Sequence, residues 1–517
     1  MKTIVELQDS IKGITMSLQN ISVELSEYGK STDSAPAVDF LKVDAIGKNS
    51  FLPHHPLTNC PQKSHYLSLL LTIALKNRGD LSAWQFLSRI AFGAGYTDGM
   101  ESLVADAMTL NEAKLIQATD TVNQYGLKHN FVVDSLVLYT VMQEKNSALL
   151  EYMVSIYEIL GVENAVMDEC LTMARIIAEN DKEAYFDNVN KWKYLNQWDF
   201  LGYMVKRDSR IVHELDGIEN YEEEQVIVLD AKITGEKLPD FESDLPSDIP
   251  REEQYIARLN LSIELDRFKC KELVFLNCKF DEMNCIVAKK KRIVFESCLF
   301  SSNFHLLFQN ISTYKLNAWI NVENSDFRRC VFENYHSELP ILNMRNGNIS
   351  KCQFISCEKQ NWMGGNKVSF TYFIKIANAS ITDTNFEKCL NKADWGNIPG
   401  NLIGCLLLAD STSIANCKFT QCTNWVGGND ILAKCTYLLH LSSNSSVKDC
   451  VFDRSYSEPA SKAGVWIGGS VESYAIACYK GSDSLAKRME KENKFIDGRD
   501  AYRRQKEKVG VTNREIE

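Results

Sequence analysis

The amino-acid sequence predicts a multidomain α + β protein, an N-terminal all-α helical domain followed by a β-solenoid. Three observations carry that expectation. A short pattern, apolar-x-x-Cys-x-Phe, returns seven times between residues 273 and 452, with Thr384 in place of the Cys in one copy. Its last residues are Phe280, Phe300, Phe332, Phe354, Phe386, Phe419 and Phe452, spaced 20, 32, 22, 32, 33 and 33 apart. Periods of that size mark stacked repeats, in which each unit buries its apolar face only against its neighbours. Residues 66–206 instead place apolar side chains at helical spacing, and an acidic stretch with three prolines separates the two regions.

Residues 1–30 come first. Ile4, Leu7, Ile11, Ile14, Leu18, Ile21 and Leu25 alternate spacings of three and four, a heptad seam that reads as an amphipathic or coiled-coil helix. Such a seam seeks an apolar surface, either on this chain or on a partner, and a homo-oligomer through residues 4–25 is one outcome. Residues 31–65 read as a linker. Within it His54, His55 and Cys60, with His65 at its end, raise the idea of a metal site, but their spacing fits no common finger. Pro56 and Pro61 point to an ordinary loop.

Residues 66–206 read as six to eight packed helices. Leu67, Leu70, Leu71, Ala74 and Leu75 mark one face, Asp80 and Ser82 offer caps ahead of Trp84 and Leu87, and Gly161 stands where a helix after Leu149 should end. The turn residues 76–82 and the similar turn 143–147, each followed by a long helix, resemble the layout of TerB-like (tellurite-resistance) domains. The resemblance implies acidic residues in those turns that hold a metal; only Asp80 and Glu144 stand near such positions, and no second acid follows Asp80 in its turn, so no metal site is expected. It also implies a setting in bacterial stress or phage-defence assemblies.

Residues 207–264 read as an acidic linker and the entry to the repeats. Between Glu214 and Glu253 fourteen acids face three bases, and Val226, Ile227, Val228 and Leu229 offer a first strand. In the repeats themselves, residues 265–480, the Cys and Phe are two apart and share one face of a strand. The apolar residue three before the Cys requires a corner between them. Asn277, Asp383, Asn416 and Asp449 fill that corner, and Asn and Asp tolerate the left-handed backbone it needs. Strand, polar turn, short strand, corner and strand in succession resemble the right-handed parallel β-helix shared by pectate lyases and tailspikes. Residues 481–517, rich in Lys and Arg, read as a basic cap or tail that stops edge-to-edge stacking.

Fourteen of the sixteen Cys lie from Cys270 onward, six of them (Cys278, Cys298, Cys330, Cys352, Cys417 and Cys450) in one inward slot, so we expect buried thiols in a reducing cytoplasm. The opening residues carry no charged-then-apolar leader, and the longest apolar run, residues 67–75, is too short to span a bilayer. A net charge of −11 argues against a general nucleic-acid or anionic-membrane role.

No nucleophile with a paired His, no phosphate-binding glycine loop and no cofactor signature emerges, so no cofactor is expected. Asp383 and Asp449 share the corner slot with Asn277 and Asn416, and Asn cannot serve as a general acid or base. Four Trp residues stand beside Gly at a similar phase of successive repeats: Trp362, Trp395, Trp425 and Trp466. They either lid the coils or form an aromatic ridge along one edge that binds a protein partner. The sequence thus favours a non-enzymatic scaffold, with a carbohydrate-active lyase or hydrolase, or an oligomeric structural element, as alternatives.

Overall fold

The computed structural model describes residues 38–48, 55–76, 81–143, 147–206, 209–234, 262–281, 285–301, 318–337, 339–363, 370–395, 403–428, 435–442, 444–460, 472–479, 483–496 and 511–514. The chain divides into two compact units, Met1–Ser209 and Arg210–Glu517. The seam residues Ile4 to Leu25 (Ile4, Leu7, Ile11, Ile14, Leu18, Ile21, Leu25), along with His54, Asp80, Glu144 and Trp466, lie outside the described residues.

The first unit is helical. Its centre is the helix Lys63–Lys76, buried on every side from Tyr66 to Leu75, so Leu69 and Ile73 join the face expected from spacing. A helix that is apolar all round belongs inside a bundle. Around it pack Leu81–Gly93, Met100–Met108, Glu112–Gln124, Lys128–Val141 and Ser147–Ile159. Met167–Glu179 and Lys182–Asp187 follow, the former against Lys128–Val141. Gly161 ends its helix as expected, with φ of 66° and the Val162 N–H donating to the Tyr157 carbonyl.

The stretch expected as a linker holds a further helix, Phe40–Gly47, capped by Asp39, whose carboxylate accepts the Lys42 N–H. It lies so close to Leu81–Gly93 that a Cβ on Gly47 would sit 2.0 Å from the Ser88 hydroxyl. That hydroxyl donates to the Val43 carbonyl. Phe40 also packs edge-on against Trp84 at 5.6 Å, and Asp44 accepts the Met100 N–H, contacts that a stretch this short does not announce.

The second unit consists of three sheets whose strands pair in parallel (for example Leu342–Ser350 with Phe370–Thr382, and Gln353–Ile355 with Asn385–Glu387). Each long repeat contributes in the same order. A strand enters the first sheet, a left-handed corner follows, a three-residue strand enters the second sheet, another corner follows, and a strand enters the third. The second corner column is Asn334, Ser356, Lys388, Gln421 and Arg454, with φ between 48° and 53°.

The first corner column holds the predicted Asn277, Asp383, Asn416 and Asp449, with φ between 51° and 55°. Ser297, Arg329 and Lys351 adopt the same conformation in that column, at 54–55°. For residues other than Gly, Asn or Asp this backbone costs on the order of 1–2 kcal/mol. Corner N–H groups are all committed across the ladder: Asp383 donates to Ala415 and Asn416 to Lys448.

Within the sheets lies one core. Phe280, Phe300, Phe332, Phe354, Phe386, Phe419 and Phe452 stack ring on ring at 4.3–4.9 Å, their planes within 10° of parallel. The thiol slot is more demanding than a small apolar site. Cys298 donates to the Phe275 carbonyl, Cys330 to Phe295 and Cys352 to Phe327, at 3.3–3.4 Å. Thr384 donates its hydroxyl to the Thr382 carbonyl instead. The slot therefore takes a small donor, which is why Cys and Thr exchange there.

Two further copies flank the seven. Asp230, Ala231 and Ile233 occupy corner, slot and ring positions ahead of the array, in the strand Lys232–Thr234 paired with Lys279–Asp281. At the far end the helix Asp483–Glu492 leads into Asn493 and Phe495. Asn493 takes the slot: its amide donates to the Val447 carbonyl and its oxygen accepts the Cys450 N–H. Phe495 stacks on Phe452 at 5.1 Å. The basic tail is thus partly built into the sheets, and its strand Val511–Arg514 also joins the first.

Phe354 is stacked on both sides and fully buried. Phe354→Ala is expected to cost about 3–5 kcal/mol in chemical denaturation of the second unit. Phe495→Ala, stacked on one side and half-buried, should cost less than half as much.

Candidate interaction surface

The third sheet has five strands, His336–Ser337, Glu358–Met363, Leu390–Trp395, Thr423–Gly428 and Tyr456–Ala460. It holds three of the four predicted Trp residues, in strands rather than in loops. They do not form one column. Pairing sets Trp362 opposite Asp394, Trp395 opposite Met363, and Trp425 opposite Lys392. The reason is their distance from the second inward Cys column: Trp362 lies five after Cys357, Trp395 six after Cys389, and Trp425 three after Cys422. Trp425 is half-buried, and the Lys392 ammonium lies over its ring at 5.3 Å from the centroid. Gln360 continues that rung and is exposed.

The next position of the same strands is polar and buried. Lys359, Asn391 and Asn424 stand in register, each no more than 1% exposed. Lys359 Nζ donates to the Thr371 hydroxyl at 2.5 Å. The Asn391 amide donates to the Asn424 side-chain oxygen and the Cys405 carbonyl, and the Asn424 amide donates to the Gly404 carbonyl, at 2.8–3.0 Å. These bonds fasten the third sheet to the leading ends of first-sheet strands Phe370–Thr382 and Ile403–Asp410. A column of side chains that satisfies inward-facing carbonyls leaves no slack for the rung beside it.

On Ile403–Asp410 and the next two first-sheet strands, Cys435–Leu441 and Glu472–Tyr479, Cys405, Tyr437 and Ala477 form a small separate core, bordered by Tyr372 and Leu408. His440 is buried there, its ring 5.9 Å from that of Tyr437. A Cys and a His on adjacent strands invite a catalytic reading, and their environment opposes it. Burial pushes the Cys405 thiol up and holds His440 down to about 4. Activation of a thiol nucleophile needs the reverse shift at the thiol. Burial likewise keeps the thiols of Cys298, Cys330, Cys352 and Cys389 well above their ordinary range.

Several charged groups of the first sheet are paired with one another. Asp326 is buried and accepts from Arg292, from Arg328 at 2.8 Å, and from both the backbone and side-chain amides of Asn348. Burial opposes its ionisation, but the two guanidinium groups outweigh that and hold its carboxyl below the usual range. Glu296 is similarly paired with Arg329 at 3.1 Å. Asp383 and Asp449 stand at left-handed corners.

Among the described residues, no three His, Cys, Asp or Glu side chains converge as metal ligands would, and no helix is long and apolar enough to cross a membrane. Cys352 and Cys357, like Cys417 and Cys422, belong to two separate corner columns and are free thiols. No protein-family model, curated protein or solved structure matches the chain.

Sequence reasoning missed the buried Lys359–Asn391–Asn424 column. Its signal was a polar residue two after each inward Cys (Lys359 after Cys357, Asn391 after Cys389, Asn424 after Cys422), which reads as solvated surface unless the third sheet is known to be covered.

His440 gives a pH dependence of known sign. A free imidazole takes up its proton near 6.5, whereas this one resists until about 4, so the unfolded chain binds the proton first. Stability is full above pH 6.5 and falls by about 3 kcal/mol as pH drops towards 4. Replacing His440 by Leu should remove that part of the acid sensitivity in denaturation measured across this window.

Proposed function

We propose that the protein is a non-enzymatic cytoplasmic scaffold or recognition subunit. In this reading the second unit winds as a right-handed parallel β-helix and offers the outer face of its third sheet to a protein partner. The helical unit, TerB-like in layout, and the seam at residues 4–25 engage a further protein or a second copy. A bacterial stress or phage-defence assembly is the setting that layout suggests.

The observation that carries the reading is the Trp425–Lys392 pair. A large half-buried aromatic ring lies beside a cation, on strands fixed from behind by the asparagine column. Trp residues held on rigid elements are the usual anchors of protein interfaces, because little side-chain freedom remains to be lost on binding. Glycoside cleavage would instead need two carboxylates roughly 5–10 Å apart across a groove. The recurring acids of this array, Asp383 and Asp449, serve the backbone.

The test compares wild type with Trp425→Ala in affinity purification from the native host, with circular dichroism as the control for folding. Loss of a captured partner from a folded variant is expected, with affinity reduced by about 2 kcal/mol, roughly thirtyfold. Undiminished capture by the folded variant would remove the third sheet from the interface.

A further inference from the structure

We propose that Cys417 and Cys450 form an oxidative modification site, a dithiol that a hydroperoxide converts reversibly to a disulfide. They hold the slot in successive copies, on neighbouring parallel strands, where the Val451 N–H donates to the Cys417 carbonyl. In-register parallel neighbours stand about 4.8 Å apart at the backbone, inside the range that a disulfide spans. Both are free thiols, each 1% exposed.

Register alone does not single them out, because other slots also stack thiol on thiol. The difference lies in how each thiol is held. The other described thiols of the two inward columns reach a carbonyl of the preceding copy at 3.2–3.4 Å. Cys417 lies 3.7 Å from the Ile381 carbonyl and Cys450 4.0 Å from that of Ile414, so both links to the preceding copy are slack. Thr384 fills the slot between Cys352 and Cys417, which isolates the pair from the thiols beneath it.

The slack thiols turn to each other. Cys417 donates to the Cys450 sulfur, a bond that holds Cys450 below the ordinary thiol range and, with burial, pushes Cys417 above it. The pair thus has the polarity that oxidation needs, with Cys450 as the attacking sulfur and Cys417 as the resolving thiol.

Access comes from the end of the array. Asn493 lies over Cys450: its side-chain oxygen accepts the Cys450 N–H, and its amide donates to the Val447 and Met489 carbonyls. Phe495, in the same end copy, is half-buried on Phe452. An end copy has a neighbour on one side, so it opens before the copies beneath it. Cys298 and Cys330 lie several copies deeper.

The Cys450 thiolate attacks one oxygen of the peroxide. An S–O bond forms, the O–O bond breaks, and hydroxide leaves with the thiol proton as water. Cys417 then attacks that sulfur, the S–S bond forms, the S–O bond breaks, and a second water leaves with the Cys417 proton. Two thiols lose two electrons and one peroxide gains them. The bond ties the copy carrying Phe452 to the one carrying Phe419 and holds the end closed until a thiol reductant reverses it.

The experiment treats the full chain with hydrogen peroxide, blocks the remaining thiols and maps cross-links by non-reducing mass spectrometry. The Cys417–Cys450 disulfide is expected to form first, ahead of any link between Cys298 and Cys330. Its absence, or equal linking of Cys298 to Cys330, would overturn the site. Asn493→Ala should speed the reaction about tenfold, the worth of one buried hydrogen bond, and an unchanged rate would overturn access through the end copy. Cys417→Thr places in the slot the residue it already accepts at 384, and should leave a sulfenic acid at Cys450 that dimedone captures. An unlabelled Cys450 in that variant would overturn its role as the attacking sulfur. Circular dichroism checks that each variant folds, and the wild-type map decides where one does not.

Discussion

The second unit depends on a single backbone constraint, the one-residue left-handed corner between the first and second sheets. It turns the chain sharply and presents the next side chain inward at a fixed height. That side chain is small and in most copies donates to a carbonyl of the preceding copy, as Cys298 does to Phe275. Two residues later a phenyl ring falls directly over the ring below. The ring stack, the thiol column and the parallel register are three results of one repeated φ angle. Without the corner, each ring would meet its neighbour at an arbitrary offset.

This constraint explains what was legible in the sequence. Asn277, Asp383, Asn416 and Asp449 announced the corner because their side chains tolerate it, and Cys-x-Phe announced the strand because period two is simple to read. Ser297, Arg329 and Lys351 gave no such signal: tertiary ladder bonds impose a conformation that their own preferences disfavour. The flanking copies were hidden for a related reason. Ala231 and Ile233, and Asn493 with Phe495, fill the same slots with different chemistry, since an end copy has a neighbour on one side only. The polar column behind the third sheet was invisible because spacing shows which residues share a face but not whether that face is covered.

The helical unit follows a different economy. Its central helix is specified by apolar content alone, yet its first and last segments are joined to that centre by polar groups. His55, Tyr66, Asp134 and Tyr203 come from four separate elements and meet in one cluster, wholly buried except at Tyr203. The histidine was readable as a loop residue, and its partners were scattered over some 150 positions of sequence, so no local pattern could reveal them. Apolar packing sets the arrangement of these helices, while the cluster selects one closure of the chain over others of similar burial.

The unequal spacing of the phenyl rings, 20 to 33 residues within one array, has a consequence for how such a chain changes over generations. Corner, slot and ring span four adjacent positions whose number does not vary, so every insertion or deletion falls between one ring and the next corner. Selection can lengthen, shorten or rewrite those segments one by one while the interior stays as it was. The frame is conservative, and the margin hung from it is free to diversify.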